Sequence, residues 1–415
     1  MMNHFLQPIR NMESWKRTLY VMFVVQLVSA LGFSTIFPFL PLYVDELDSA
    51  TGWSVELLAG LVFSVQGITM MITSPFWGAL ADRYGRKPMV ARATFGGAIL
   101  VLMMGYARTA EDLIILRIIQ GAVTGVVSST NALVASAAPR ERTGFAMGLI
   151  QVSLWAGVAV GPIIGGTVAD AWGYRMAFIV TAALLFLAGV LLVFGVEENF
   201  TPRERSNSES SSIWADWRRI LQTEGVGLTY FLRFMSNLAR TIIIPIAPLF
   251  VATLLVDSDH LNTFTGLMLS IAAAASTATS VYLGRLGDRI GHRLVLYASA
   301  LVGALFYFPQ SLVTEAWQLF VLQAMTGAAA GGILPTLSAL LARYTKPGEE
   351  GSVYGLDNSI GAGARAAAPL IGAGVATWFG YRGTFVATGL MFLIIFVVAI
   401  WRLPESHSVT QTDPA

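Results

Sequence analysis

Twelve mostly apolar stretches dictate what this chain can fold into. A helix needs about 20 apolar residues to cross the hydrocarbon of a bilayer. Twelve runs meet that length, at approximately 18–44, 55–80, 88–106, 113–138, 145–169, 178–196, 226–254, 262–286, 294–313, 317–342, 353–379 and 384–402. None alternates polar and apolar residues over roughly ten positions, as the strands of a membrane barrel must. Only 12% of the residues are charged, whereas soluble domains carry about a quarter. The 40 glycines and 16 prolines, set among apolar runs, fit helices in lipid. A polytopic helical membrane protein follows, and the lipid bilayer is its first partner.

The basic residues set the orientation. With the amino terminus in the cytoplasm, 19 of the 26 lysines and arginines fall on the cytoplasmic side. Only Arg108, Arg175 and Arg382 lie outside, and the first outer connection instead carries Asp45, Glu46, Asp48 and Glu56. This is the positive-inside pattern, and it puts both termini in the cytoplasm of a multi-pass inner-membrane protein. Arg10, Lys16 and Arg17 make the first 17 residues polar, so no cleavable signal peptide is expected. Net charge is +1 and cysteine is absent, which argues against nucleic-acid binding and against thiolate chemistry.

The spans divide into two repeats. Gly78 to Lys87 (GALADRYGRK) recurs as Gly284 to Arg293 (GRLGDRIGHR), an offset of 206. Pro38 to Leu42 recurs as Pro245 to Leu249, and Gly173-Tyr174-Arg175 as Gly380-Tyr381-Arg382, both at 207. The expected fold is therefore all-α, with twelve transmembrane helices in two pseudo-symmetric six-helix bundles. Its expected divisions are a cytoplasmic segment 1–17, a bundle 18–196, a linker 197–225, a bundle 226–403 and a tail 404–415. The linker holds a serine-rich run followed by Ile213 to Leu221, whose apolar spacing fits a short interfacial helix or a solvated one. An even number of spans per repeat places the pseudo-twofold along the membrane normal, the arrangement of alternating-access carriers.

Four motifs carry a family resemblance. Gly78 to Lys87, Leu113 to Gly121, Trp155 to Gly166 and Gly32 to Pro41 resemble signatures of the major facilitator superfamily, in order and on the right helices. The last two are similar to those of its twelve-helix drug:proton antiporters. The resemblance implies that Gly78, Asp82, Arg83, Gly85, Arg86 and Lys87, with Asp288 and Arg289 of the second copy, form a cytoplasmic gate between the halves. A solvated basic loop that only sets topology is the alternative. The resemblance also implies that Gly157, Gly161, Pro162, Gly165 and Gly166 make a smooth face on helix five that meets helix eight. Helix packing alone accounts for those glycines equally well.

Charges inside lipid are costly, so they mark working sites. Arg117, Arg233, Arg240, Asp357 and Arg365 lie within the spans. Arg117 matches the family's helix-four arginine, implicated in proton coupling; bonding to backbone carbonyls of helix one is its structural alternative. At about 1.5 Å of rise per residue, Arg233 and Asp357 share a depth in helices seven and eleven, and a pair is expected. Arg240 and Arg365 lie near the midplane without an acid. Proton coupling is thus assigned to Asp357, Arg233 and Arg117. Gln26, Phe33, Asn131, Gln151, Asn237, Arg240, Asn358 and Arg365 are expected to line the substrate cavity.

The expected function is secondary active transport by alternating access: proton-coupled efflux of small amphipathic compounds or drugs. The alternative is a carrier or flippase for an anionic or zwitterionic lipid or organic anion, using Arg240 and Arg365. No enzyme is expected, since every histidine lies outside the spans and no nucleophile–base pair lies within them. No metal site, cofactor or nucleic-acid partner is expected. The proton gradient is the expected energy source, and a monomer the expected unit.

Overall fold

A computed structural model describes residues 13–139, 142–198, 225–255, 259–344 and 350–403. The expected helix at 213–221, the residues before 13 and those after 403 lie outside the described residues. So does the side chain of Asp82.

The described chain is helical throughout, apart from an isolated bridge between Asp48 and Thr109. Spans two, three, eight and nine are single helices, Val55–Tyr84, Lys87–Met104, Leu261–Ile290 and His292–Gln310. Spans five and six form one helical run, Thr143–Gly195, turned back at Gly173 (φ 80°). Spans eleven and twelve form another, Glu350–Arg402, turned at Gly380 (φ 71°). Positive φ is costly for any residue with a Cβ, so glycine is required at both turns. The arginine two residues after each turn caps a neighbouring helix. Arg175 Nε donates to Gly105 O (3.3 Å) at the end of span three. Arg382 donates to Ser311 O (2.6 Å) and Val313 O (2.8 Å) at the end of span nine. A cation there satisfies carbonyls that a helix end leaves unpaired and suits the dipole.

The remaining four spans are broken, which the sequence reading, with its continuous runs, does not anticipate. Span one is Ser14–Thr35 and Leu40–Glu46; span four is Ala110–Val123 and Val126–Ala137. Span seven is Val226–Thr241 and Ala247–Leu254; span ten is Ala316–Ala330 and Ile333–Tyr344. Pro38 and Pro245 remove an amide donor and crowd the preceding turn, which breaks spans one and seven. Span four breaks at Gly125, with φ 143°, and span ten at Gly331-Gly332. Single glycines in lipid-type sequence resemble ordinary packing positions, so these two breaks carry no distinct signal.

The principal buried cores each stay within one half. Phe39, Phe178, Leu185 and Leu113 anchor one in the first half, with Met22 and Leu133 in a second. Phe250, Phe385, Phe392 and Leu337 anchor that of the second half. The halves meet through two crossings related by the repeat. A Cβ on Gly266 of span eight would collide with the Pro162 carbonyl of span five. A Cβ on Gly60 of span two would lie 2.8 Å from the Pro369 carbonyl of span eleven. Glycine here permits backbone-to-backbone contact between halves.

These crossings lie away from the face that carries the described termini. Nearer the terminal face the same helices are exposed, as at Phe76 (59%) on span two and Tyr282 (67%) on span eight. The described contacts between the halves lie toward the face opposite the termini.

Candidate functional site

Between the halves, the second bundle contributes an ion pair set into the membrane. Arg233 Nη2 donates to Asp357 Oδ2 at 2.9 Å, joining spans seven and eleven. Arg233 Nη1 also donates to Ser338 Oγ (2.9 Å) and Leu334 O (3.2 Å) on span ten. One guanidinium thus ties three spans, using the planar fork that lysine lacks. Tyr230 OH, one turn earlier, donates to Val353 O (2.8 Å) and reinforces the same seam. Asp357 is buried, and its Oδ1 has no hydrogen-bond partner among the described residues. A buried carboxylate oxygen left without a donor is costly.

Arg240 and Arg365 lie on the same two spans as this pair. Neither makes a hydrogen bond or ion pair among the described residues, and Arg365 is exposed.

In the first half Arg117 is buried at 3% exposure, with no carboxylate beside it. Its Nη1 donates to Gln66 Oε1 (2.8 Å) and Gln120 Oε1 (2.9 Å), and the Phe63 ring lies 5.5 Å from the guanidinium carbon. The alternative partners, carbonyls of helix one, are replaced by these two side-chain amides. Arg117 Nε and Nη2 are left without acceptors. The repeat-related residue Gln323 bonds to Gln310 Oε1 (3.0 Å).

The expected cavity residues separate into two groups. Gln151, Asn358 and Arg365 are exposed, while Arg240, Asn237 and Asn131 are partly buried. Asn237 Nδ2 donates to Arg233 O (2.9 Å) within its own helix, and Asn131 Oδ1 has no partner. Gln26 and Phe33 lie in the first half. Gln26 is 1% exposed, and Phe33 packs into both cores of the first half and against Gly97.

The smooth face of span five also differs from expectation. Gly157 lies against Ala30 and Leu27 O, Gly161 against Ser34 and Leu31 O, and Gly165 against Thr35 O. Positions four apart share one stripe of a helix, and this stripe faces span one. Ser34 Oγ donates to Gly157 O (3.0 Å) across it. Gly166, one position on, turns about 100° and meets Asn262 of span eight, while Pro162 meets Gly266. Span eight is thus met by Pro162 and Gly166, not by the whole motif.

At the terminal face the basic loop is engaged within its own half. Gly85 takes φ 98° to end span two, and Arg83 stacks on Tyr84. Glu198 accepts from the Arg86 and Lys87 amides (both 2.8 Å), capping span three. Lys87 Nζ donates to Val193 O and Val196 O (2.9 and 2.5 Å). In the second copy, Asp288 Oδ1 lies 3.3 Å from His292 Nε2, Arg289 is exposed, and Gly78 has open space beside it. Glu198 sits at the end of span six, where the sequence shows only an acid entering a linker.

Known proteins resemble this chain over nearly its whole length. A family model described as the Major Facilitator Superfamily matches twice, over residues 22–232 and 229–415. A "Multidrug resistance protein MdtG" from Serratia proteamaculans is 34% identical, covering 98% of this chain and 99% of its own. One from Proteus mirabilis is 32% identical, covering 96% and 99%. Among solved structures, the nucleoside transporter NupG superposes with a TM-score of 0.78 at 13% identity, over 93% of this chain and 100% of that one. A bacterial homolog of the human lysosomal transporter Spinster, in an inward-facing conformation, gives 0.78 at 12%, covering 94% and 97%.

Proposed function

This chain belongs to the major facilitator superfamily, and we propose that it exports amphipathic small molecules in exchange for protons. It is a transporter, not an enzyme. The full-length likeness to proteins named for multidrug resistance supports drug-like substrates. The bias of basic residues puts the termini, and hence the open face, in the cytoplasm of the inner membrane. In that state the cavity receives substrate from inside.

The observation that carries proton coupling is the Arg233–Asp357 pair with its unbonded Oδ1. A proton on Asp357 cancels the charge that holds Arg233, and Arg233 is what ties span seven to spans ten and eleven. Protonation thereby loosens three spans of the second half at once, and deprotonation reseals them. Arg117, short of acceptors in the opposite wall, completes the charge system facing the cavity. The basic loop with Asp82, Arg83, Arg86, Lys87, Asp288 and Arg289 serves as the cytoplasmic gate when that face closes. The working unit is a monomer that needs no cofactor beyond the proton gradient.

A second reading concerns substrate charge. Arg240 and Arg365 have no acceptor among the described residues, which favours anionic or zwitterionic amphiphiles, organic or lipid, over lipophilic cations.

Proteoliposomes with an imposed pH gradient test the main proposal. Proton-driven flux of an amphipathic dye is expected from the wild type and is lost in Asp357→Asn. Undiminished proton-driven flux in that variant would overturn the role of Asp357.

A further inference from the structure

The face opposite the termini is fastened by two clasps that the repeat relates to each other. In one, Asp170 at the end of span five reaches the first turn of span eight. Its Oδ1 accepts from the Asn262 amide (3.1 Å) and Asn262 Nδ2 (2.8 Å), and its Oδ2 from the Thr263 amide (2.6 Å). In the other, Tyr381 at the start of span twelve donates to Glu56 Oε1 (2.9 Å), in the first turn of span two. Thr377 Oγ1 lies 3.4 Å from Ser54 Oγ beside it. Asp170 and Thr377 are repeat mates at an offset of 207, and Glu56 and Asn262 at 206. Each clasp therefore has one carboxylate, supplied by the opposite member of the pair.

The helix caps give the arrangement its logic. Span two is capped by its own chain, since Ser54 Oγ accepts from the Leu57 amide (3.4 Å). The equivalent residue before span eight is His260, whose side chain does not cap. The first amides of span eight are instead satisfied by Asp170, from the other half. A carboxylate at a helix start gains from both the unpaired amides and the dipole. When the face opens, span eight loses its cap and Asp170 its three donors. That cost is incurred only in the open state, so it biases the equilibrium between the two faces.

We propose that Asp170 and Glu56 are positioning residues of the transport cycle, setting the occupancy of the conformation closed at the face opposite the termini. They touch no substrate and act through the start of span eight and through Tyr381. This inference rests on the alternating-access reading. It concerns a different face from the basic loop and the Arg233–Asp357 pair.

Because the chain has no native cysteine, spin-label pairs can be placed without background. Arg108→Cys with Leu312→Cys reports the clasped face, and Phe145→Cys with Tyr282→Cys reports the terminal face. The wild type is expected to show a short distance at the clasped face. Asp170→Asn and Glu56→Gln are each expected to raise the open-to-closed ratio there about tenfold, as loss of a charge-assisted bond requires. The terminal-face distance shortens in step, while Asp170→Glu keeps the wild-type distribution. Gly166→Leu, which wedges the span five–eight crossing, serves as an independent opener. If Gly166→Leu opens the face but neither acid variant shifts it, the proposal is overturned and alternating access stands. If no variant changes either distance, both the proposal and the alternating-access reading fail.

Discussion

Arg233 and Asp357 meet at 2.9 Å inside the membrane, and the arginine spends its second nitrogen on span ten. The two partners are therefore not equivalent. Losing Asp357 leaves Arg233 with Ser338 and the Leu334 carbonyl. Losing Arg233 leaves a buried carboxylate with no donor among the described residues. Breaking such a pair costs about 3–5 kcal/mol when the surviving charge is unpaired. Arg233→Gln is thus expected to lower the thermal unfolding midpoint in detergent far more than Asp357→Asn. The double variant should recover part of the loss. Equal effects of the two single variants would contradict this asymmetry.

The proposed role of Arg240 and Arg365 in reading substrate charge can be tested directly. An anionic headgroup bonded to Arg240 or Arg365 gains a charge-assisted hydrogen bond worth roughly 1.5–3 kcal/mol. Arg240→Ala and Arg365→Ala should each cut transport of an anionic amphiphile about tenfold or more, while a cationic dye of similar size is spared. The measurement is the ratio of anion to cation flux in the same vesicles. An unchanged ratio in both variants sinks the idea.

Much of this arrangement was legible in the sequence, and the exceptions share a cause. Apolar length alone located the spans, and the offset of 206–207 located the pseudo-twofold now seen at Gly60–Pro369 and Gly266–Pro162. Depth counting brought Arg233 to Asp357 because both helices are regular between those residues and their ends. Azimuth was harder. The glycines of span five were known to share a stripe, but nothing local says whether span one or span eight lies opposite it. Asp170, Glu56 and Glu198 read as ordinary loop-side acids, since a cap supplied by a distant helix leaves no mark at either site.

The stripe itself makes a sharp prediction. A methyl at Gly165 would collide with the backbone carbonyl of Thr35, which has no rotamer to yield. Gly165→Ala should therefore cost about 1–3 kcal/mol, the usual range for overpacking. Gly144 and Gly148 on the same span have open space. Alanine at either should be neutral or stabilise by about 0.5–1 kcal/mol. Thermal unfolding of the three variants compares them directly; a tolerated Gly165→Ala would mean the spans separate more readily than their packing implies.

The clasped face also carries a titratable staple outside the membrane. Glu111, in the first turn of span four, accepts from Ser49 Oγ (3.0 Å), the Ala50 and Thr51 amides (3.3 and 3.1 Å) and Thr51 Oγ1 (2.9 Å). Its own backbone amide first, then Thr51, with Ala50 and Ser49 adding, hold its carboxyl at about 2 against an ordinary 4.5. A folded-state value below the unfolded one means the staple is fully present above about pH 4.5. It weakens as the pH falls toward 2. Neighbouring Asp112, which caps the same helix, is lowered as well, so the signal must be isolated by difference. The unfolding midpoint of the wild type minus that of Glu111→Gln should be constant from pH 7 to about 5, then shrink as the pH approaches 2. A difference that stays level to pH 2 would show that the bonds to the Ser49–Thr51 loop do not depend on the charge.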